Sequence, residues 1–383
     1  MTSTVIIVAP ADDAHAIAVQ ARIHALSKGT GRAEIVDLAT YPLGGDLSVW
    51  IEPERVAASL GLVAPLPSTY GPDVEQRLAQ QEVTRLGGDQ IRAVWWRRSR
   101  LPVPHPYDEV ALRDFAQSNT QAQVWGYFLS LSESVPFVNR PGSEASANYK
   151  LVQLEQARAQ GLDIPHTLIT NNPRDAAGFV QEREQAGRVC VVKQLRSARG
   201  AGYLTQPIST ADAPGFAQIK DAPVILQERM HGLDVRVVVV GDAVFAASEA
   251  PRVATDVPDI RATFDTTCAP LIVPGDVRAK LFALHRQLGL GFGAYDFIRC
   301  HDGRWVFLEV NPSGQWLYVE TGAAHRISEA LAHLLWFGRV SESDLHGEPF
   351  SEPELDTMMA RFNDGVLERA RASAPVTTHW LGR

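Results

Sequence analysis

The segment FLEVNPSGQWLYVE, residues 307–320, contains the residues on which the fold and chemistry of this chain depend. Upstream, the segment AYDFI places Asp296 inside an apolar run, and the turn HDG at residues 301–303 joins the two segments. Apolar runs on both sides of a tight turn predict a β-hairpin. Pairing of these strands brings Asp296 and Glu309 to one end, and Asn311, two residues further on, faces the same side.

Asp296, Glu309 and Asn311 supply two carboxylates and an amide oxygen. Such hard oxygen ligands are typical of magnesium sites that also meet nucleotide phosphates. The alternative is that both acids are ordinary solvated strand residues. Apolar neighbours surround each acid, however, and an unpaired carboxylate is unstable among them. The sequence therefore predicts a Mg²⁺ site.

A second apolar segment, VCVVKQL, carries Lys193, whose ammonium group needs a nearby anion such as phosphate. A lysine whose head group merely reaches solvent is the alternative. The following loop, SARGAGYLT, contains Gly200 and Gly202. Their permissive backbone would let N–H groups close over phosphates as a lid, although a plain hairpin turn explains the same loop equally well.

Further polar residues interrupt the apolar segment LQERMHGLDVRVVVV, residues 226–240. Gln227 and Glu228 end a strand where backbone groups could bind an adenine edge. Asp234 and Arg236 share one face of the next strand, and Arg261 in DIRATF adds a second guanidinium. Arginines beside a metal–phosphate site stabilise developing phosphoryl and carboxylate charge. Taken singly, each arginine is more often part of a surface ion pair.

Composition limits the classes of function. A chain of 383 residues exceeds what one core usually serves, so two or three subdomains are expected. With 36 Lys and Arg against 44 Asp and Glu, no broad basic surface exists for nucleic acid. The apolar run in MTSTVIIVAP is too short for a signal peptide or a membrane span, so we expect a first strand in a cytoplasmic protein with no membrane partner. Widely spaced Cys190, Cys268 and Cys300 are expected to be reduced structural thiols.

The order of patterns predicts an α/β chain. Residues 4–9, 14–26 and 33–38 form a βαβ opening, but the APADDAHA segment lacks the glycines of a dinucleotide cradle. Residues 41–90 read as irregular. Beyond them we expect a strand at 93–97 and helices at about 107–131, 150–160, 277–288, 325–335 and 353–372.

Taken in order, these motifs resemble the ATP-grasp superfamily over about residues 139–335. Within it, VWWRR, VNRPGSEASANYK, IPHTLITNNP, DIR and NPSGQWLYVE are similar to the maturases of graspetides, ribosomal peptides with ω-ester or ω-amide links of the microviridin type. The resemblance implies an α/β (α+β) fold of four parts. These are an N-terminal pre-ATP-grasp domain, a central lid subdomain, a C-terminal subdomain with the metal site and a helical tail, at 1–138, 139–228, 229–340 and 341–383.

The resemblance also implies roles for individual residues. Lys150 and Lys193 would hold the ATP phosphates, and Gln227 and Glu228 the adenine and ribose region. By the same resemblance, two magnesium ions would be bound by Asp296, Glu309 and Asn311. The acyl phosphate would face Arg236 and Arg261. Gln315 and Trp316 follow the metal loop as in this subgroup, with core packing an equal alternative for Trp316. The N-terminal domain would serve packing and part of the substrate surface.

The implied function is ATP-dependent ligation. The enzyme would phosphorylate an Asp or Glu side chain of a ribosomal precursor peptide, leader plus core, and close an ester with Ser or Thr or an amide with Lys. Asp234 and Glu228 are candidates for the general base. The alternatives are a ligase for amino acids or small peptides, like the glutamate ligases or glutathione synthetases, and a nucleotide-binding scaffold without turnover. A homodimer is left open.

Overall fold

The computed structural model describes residues 3–42, 45–62, 84–100, 102, 109–196, 205–251 and 266–359. Elements are numbered in chain order within these ranges. The strands are β1 Ser3–Val8, β2 Gly31–Val36, β3 Gly45–Glu52, β4 Arg55–Leu62, β5 Thr84–Gly87, β6 Ile91–Trp96, β7 Phe137–Val138, β8 Thr167–Thr170, β9 Cys190–Gln194, β10 Gln206–Ile208, β11 Val224–Glu228, β12 Gly232–Val240, β13 Ala243–Pro251, β14 Thr266–Leu271, β15 Phe292–Cys300 and β16 Trp305–Asn311. The helices are α1 Ala14–Ser27, α2 Val110–Leu131, α3 Pro141–Ala147, α4 Lys150–Ala159, α5 Pro173–Gln185, α6 Gly275–Gln287, α7 Leu317–Ala323, α8 Ile327–Phe337 and α9 Glu352–Met359.

The first sheet has the order β2-β1-β6-β7, and its paired strands run parallel. Helix α1 connects β1 to the parallel β2, so the predicted βαβ opening is confirmed. The Asp13 side chain accepts a hydrogen bond from the backbone N–H of Ala16 at 2.9 Å. This cap fixes where α1 begins.

The prediction of irregular structure at residues 41–90 is wrong in the described parts, because β3, β4 and β5 form an antiparallel sheet. Polar Asp46 and Ser48 break up the apolar pattern of β3. The turn at Pro53 and Glu54 lacks the Asn-Gly or Asp-Gly pair that marks most two-residue hairpin loops. Neither the strand nor the turn therefore gave a recognisable signal.

The helix expected near residues 325–335 is confirmed as α8, and a separate helix that was not expected, α7, precedes it. Ala324 ends α7 in the left-handed region, with φ of 53°. A helix cannot continue through such a residue.

No helix in the described ranges is long and apolar enough to cross a membrane.

A second sheet, β10-β9-β11-β8, is antiparallel. Helix α5 and the 3₁₀ segment at residues 210–220 cover one of its faces, which is lined by apolar side chains such as Val180, Val192 and Leu226. Because side chains alternate along a strand, Lys193 and Gln227 belong to the opposite face.

The largest sheet in the described ranges has the order β14-β13-β12-β15-β16 and is antiparallel. One face is apolar along its length and packs against α4 and α6. The other face is apolar only where α7 and α8 cover it, around Val238 and Ala294. The remaining half of this face is polar and carries the candidate site.

The first sheet and the largest sheet share one core. Helix α1 packs against α8, and a single cluster of buried side chains includes Val19 from α1, Trp95 from β6 and Leu335 from α8. The N-terminal part of the chain is therefore joined to the largest sheet by continuous apolar packing.

Candidate functional site

Three charged side chains lie in a row across neighbouring strands of the largest sheet. The register pairs Arg236 of β12 with Asp296 of β15, and Asp296 with Glu309 of β16. Arg236 Nη1 donates to Asp296 Oδ1 at 2.7 Å. Lys150, the first residue of α4, places Nζ 2.6 Å from Glu309 Oε2. The predicted hairpin that brings the two acids together is confirmed.

The two carboxylates crowd each other electrostatically. Burial raises the pKa of Asp296 to about 7, and the negative charges of Glu309 and Glu249 act in the same direction, whereas Arg236 and Lys150 oppose the rise. The side chain of Glu309 is 39% exposed, more than its apolar sequence neighbours indicate. A cation shared by Asp296 and Glu309 would relieve this repulsion.

The donor set fits a hard divalent cation. Asn311 ends β16 and is exposed, and its Oδ1 accepts a hydrogen bond from the backbone N–H of Ser313 at 3.0 Å. An amide oxygen has two lone pairs, so this bond leaves one for a cation. Groups of three His, Cys, Asp or Glu side chains suited to a metal are absent from the described ranges. The Asn311 amide could supply a third oxygen beside the two carboxylates.

Tyr318 and Glu249 hold Arg236 from a second side. Arg236 Nε donates to the Tyr318 hydroxyl at 2.9 Å, and the Tyr318 hydroxyl donates to Glu249. Burial alone would lower the pKa of Arg236, but Asp296, Tyr318 and Glu249 raise it above its ordinary value. The guanidinium therefore stays charged in one fixed position. Sequence reasoning missed both neighbours, and the only sequence signal was the presence of Tyr318 in the segment 307–320.

Lys193 belongs to a polar group on the second sheet. Its Nζ donates to Gln227 Oε1 at 2.8 Å, and Gln227 Nε2 donates to Thr167 Oγ1 at 3.0 Å. These three side chains come from the neighbouring strands β9, β11 and β8. The structure thus brings together two residues, Lys193 and Gln227, that the sequence assigned to nucleotide binding.

Glu228 is not part of this polar group. Its carboxylate oxygens lie 3.7 Å from Arg183 Nη1 and 3.6 Å from Arg188 Nε. Its backbone N–H donates to the His166 carbonyl at 2.9 Å. Because adjacent residues on a strand point to opposite faces, this carboxylate and the Gln227 amide diverge. This placement does not favour Glu228 as a general base at the site.

The remaining predicted residues fall into three groups. Asp234 lies on the same face of β12 as Arg236, opposite Glu249 in the strand register. Gln315 is exposed, whereas Trp316 is fully buried in the shared core, as its packing alternative predicts. Gly200, Gly202 and Arg261 lie outside the described residues.

Comparison with solved structures gives matches over most of the chain. Macrocyclase MdnC from Microcystis aeruginosa MRC, bound with precursor peptide MdnA, is 25% identical. The match covers 87% of this chain and 99% of that one with a TM-score of 0.70. The chain has the ATP-grasp ligase fold. The fold class and the family resemblance expected from sequence are confirmed.

Two other ATP-grasp ligases match at similar length. A RiPP-associated ligase of Chryseobacterium gregarium, in complex with ADP and a leader and core peptide, is 19% identical. It covers 89% of this chain and 98% of that one with a TM-score of 0.72. PsnB, complexed with minimal precursor, Mg and ADP, is 22% identical with a TM-score of 0.65, covering 88% and 96%. These matches extend the shared ATP-grasp fold to nearly the whole length of both solved chains.

Curated relatives match a shorter stretch. A probable alpha-L-glutamate ligase of Enterobacter sp. (strain 638) is 30% identical over 175 residues, which are 44% of this chain and 56% of that protein. N-acetylaspartylglutamate synthase A of Homo sapiens is 27% identical over 186 residues, 45% of each chain. This chain thus spans about half the length of the curated relatives it matches. No protein-family model matches it.

Proposed function

We propose that this protein is an ATP-dependent peptide macrocyclase. It activates an Asp or Glu side chain of a ribosomal precursor peptide as an acyl phosphate and closes a ring through an ester with Ser or Thr, or an amide with Lys. The observation that carries the proposal is the row of Arg236, Asp296 and Glu309, set in a fold that matches a precursor-bound macrocyclase over 99% of its length.

Asp296, Glu309 and Asn311 would hold Mg²⁺, for which their oxygen atoms are suited. Bound there, Mg²⁺ would supply positive charge that neutralises the phosphates of the nucleotide. Lys193 and Lys150 would meet the phosphates of ATP, with Gln227 beside Lys193. Gly200 and Gly202 are proposed to cover those phosphates. Mg and ADP accompany the precursor in a PsnB complex, which supports this choice of ligands.

In the proposed reaction, a peptide carboxylate oxygen attacks the γ-phosphorus of ATP and ADP leaves. Arg236, fixed by its three partners, faces the resulting acyl phosphate together with Arg261. The peptide hydroxyl or amine then attacks the acyl carbon, phosphate leaves, and a base takes the proton. Asp234 is the proposed base because it shares a face with Arg236. Positioning and charge stabilisation supply most of the rate in such transfers.

The four-part division at residues 138, 228 and 340 belongs to the same proposal. In its support, β1–β7 precede residue 139, the second sheet lies within 139–228 and the largest sheet within 229–340. The leader and core of the precursor are the proposed partners, in the cytoplasm, where ATP and ribosomal peptides are both present. A homodimer is compatible with this reading.

Mass spectrometry of a co-expressed precursor peptide, encoded beside this protein and rich in Thr, Asp and Glu, tests the proposal. The expected product has lost one water per ring, and mild methanolysis separates esters from amides. Glu309→Gln and Asp296→Asn should abolish the loss of water. Asp302→Asn is the matched control, because Asp302 lies in the turn of the same hairpin and forms an exposed ion pair with Arg304. Full activity of Glu309→Gln would overturn the metal assignment.

Lys193→Ala tests the nucleotide site separately. Loss of its ammonium group should weaken ATP binding measured by calorimetry, and unchanged binding would contradict its role. The similarity to glutamate ligases supports a second candidate, a ligase that joins a free amino acid to a carboxylate. Incorporation of free glutamate without any loss of water from the peptide would favour that candidate.

A further inference from the structure

The turn at residues 311–317 connects the proposed metal site to helix α7. Its conformation is linked to the Asn311 side chain, because Asn311 Oδ1 accepts from the backbone N–H of Ser313 at 3.0 Å and the Asn311 carbonyl accepts from the N–H of Gly314 at 3.2 Å. Residues that hold this turn in its conformation therefore also orient the Asn311 amide.

Among the first 100 positions of the chain, His15 and Arg97 hold the turn through buried or partly buried hydrogen bonds, and Arg98 Nε adds an exposed one to the Ser313 carbonyl at 3.4 Å. His15 Nε2 accepts hydrogen bonds from the backbone N–H groups of Trp316 at 3.0 Å and Leu317 at 3.3 Å. Arg97 Nη1 donates to the carbonyl of Gly314 at 3.3 Å, and the Arg97 carbonyl accepts from Ser313 Oγ at 2.6 Å. The bonds of His15 and Arg97 join positions that are 216 to 302 residues apart.

Asp13 fixes both His15 and Arg97. Arg97 Nε donates to Asp13 Oδ1 at 2.9 Å, and His15 Nδ1 lies 3.6 Å from the same oxygen. Asp13 is itself fixed as the cap of α1. A proton on Nδ1, facing Asp13, leaves Nε2 as the acceptor that the turn requires. Burial lowers the pKa of His15 to about 4, which keeps the imidazole neutral.

Burial of the charged Arg97 side chain has an energetic cost that a merely structural role does not explain. The side chain is 1% exposed, and its Nη2 has no hydrogen-bond partner among the residues that the structure describes. A buried guanidinium with an unsatisfied donor is usually less stabilising than an apolar side chain of similar volume. The bonds of Arg97 to Gly314, Ser313 and Asp13 indicate a role in the geometry of the turn.

We propose that Asp13, His15 and Arg97 are positioning residues that orient Asn311 for the metal through the turn 311–317. This inference rests on the proposed function and deepens it. The N-terminal part of the chain, expected to serve packing and the substrate surface, would then also set the geometry of the metal site. Outer residues that orient metal ligands have measurable effects on metal affinity.

The test measures binding rather than turnover alone. Calorimetry gives the affinity for Mg²⁺ in the presence of a non-hydrolysable ATP analogue and the affinity for the analogue without Mg²⁺. His15→Ala should weaken Mg²⁺ binding by roughly 10–100-fold, with little change in Mg²⁺-free analogue binding. His15→Gln should restore most of the Mg²⁺ affinity, because its amide oxygen can accept the two N–H bonds.

Val124→Ala is the matched control. Val124 is buried in the separate cluster between β6 and α2, so truncation destabilises the same part of the chain without touching the turn. If His15→Ala and Val124→Ala shift Mg²⁺ affinity equally, the three residues act only on stability and the inference is overturned. A wild type that binds Mg²⁺ and nucleotide but forms no ring would overturn the macrocyclase proposal and leave this test intact. A wild type that binds neither would overturn both.

Discussion

Substitution of His15 by glutamine tests whether the imidazole that binds the turn 311–317 is neutral in the folded protein. Burial lowers the pKa of His15 from 6.5 to about 4, the positive charges of Arg97 and Arg98 act in the same direction, and Asp13 opposes them. The folded protein therefore binds this proton only near the lower value, whereas the unfolded chain binds it near the ordinary one. As the pH falls through this window, proton uptake by the unfolded chain reduces stability.

The magnitude follows from the two pKa values. One pKa unit corresponds to about 1.4 kcal/mol, so the interval between 6.5 and about 4 contributes about 3 kcal/mol to the free energy of unfolding. This contribution is fully present above the ordinary pKa and is lost as the pH falls to the folded value. The glutamine variant has no imidazole to titrate, so it does not lose this contribution. The unfolding free energy of the variant minus that of wild type should therefore increase by about 3 kcal/mol between neutral pH and about pH 4.

Urea unfolding of both proteins at a series of pH values, without Mg²⁺, measures this difference. Other buried groups titrate nearby: burial lowers the pKa of His285 to about 4 and raises the pKa values of Glu144 and Asp296 to about 7. These groups are present in wild type and variant, so their contributions cancel in the difference. A difference in unfolding free energy that stays constant across the window would refute a buried, neutral His15.

Three further predictions concern stability. Gly314→Ala should destabilise the protein by about 1–3 kcal/mol in thermal or urea unfolding, because the added Cβ would lie 2.5 Å from that of Ala294; a neutral effect would contradict this close approach. Asn139→Ala should lower the unfolding free energy by roughly 3 kcal/mol or more, because its amide makes three buried hydrogen bonds and one partly buried one, whereas the exposed Asn148→Ala should stay within about 0.5 kcal/mol. A double-mutant cycle of Arg236→Met and Asp296→Asn should show a coupling energy of about 1–3 kcal/mol in urea unfolding, and additive effects would argue against their 2.7 Å bond.

The local patterns of this sequence were sufficient for the hairpin that carries Asp296 and Glu309. Both strands are apolar runs, and the HDG turn between them includes Gly303 with φ of 90°, a conformation that favours glycine. The same reasoning placed Lys193 and Gln227 on strands that prove to be neighbours. Because short-range periodicity and turn residues determine these features, they can be predicted from short stretches of the sequence.

The missed features depend on contacts between distant positions. His15 lies in the APADDAHA segment, which drew attention only for its missing glycines, and its partners are about 300 residues away. A single sequence contains no signal for such a pairing. The ion pairs of Glu228 were missed for a related reason, since the arginines that pair with it belong to α5 and the loop after it. Strand β3 was missed because its order of polar and apolar residues is too mixed to show a period.

The ion pair between Lys150 and Glu309 has a thermodynamic consequence for the proposed site. The Lys150 ammonium is already a counter-ion for these carboxylates. A divalent cation that binds there would displace it, so the measured affinity is the difference between the binding free energies of the two cations. The displaced ammonium remains tethered to the first turn of α4 and becomes available to an anion. Metal and phosphate then favour each other's binding by the same factor, as linkage requires.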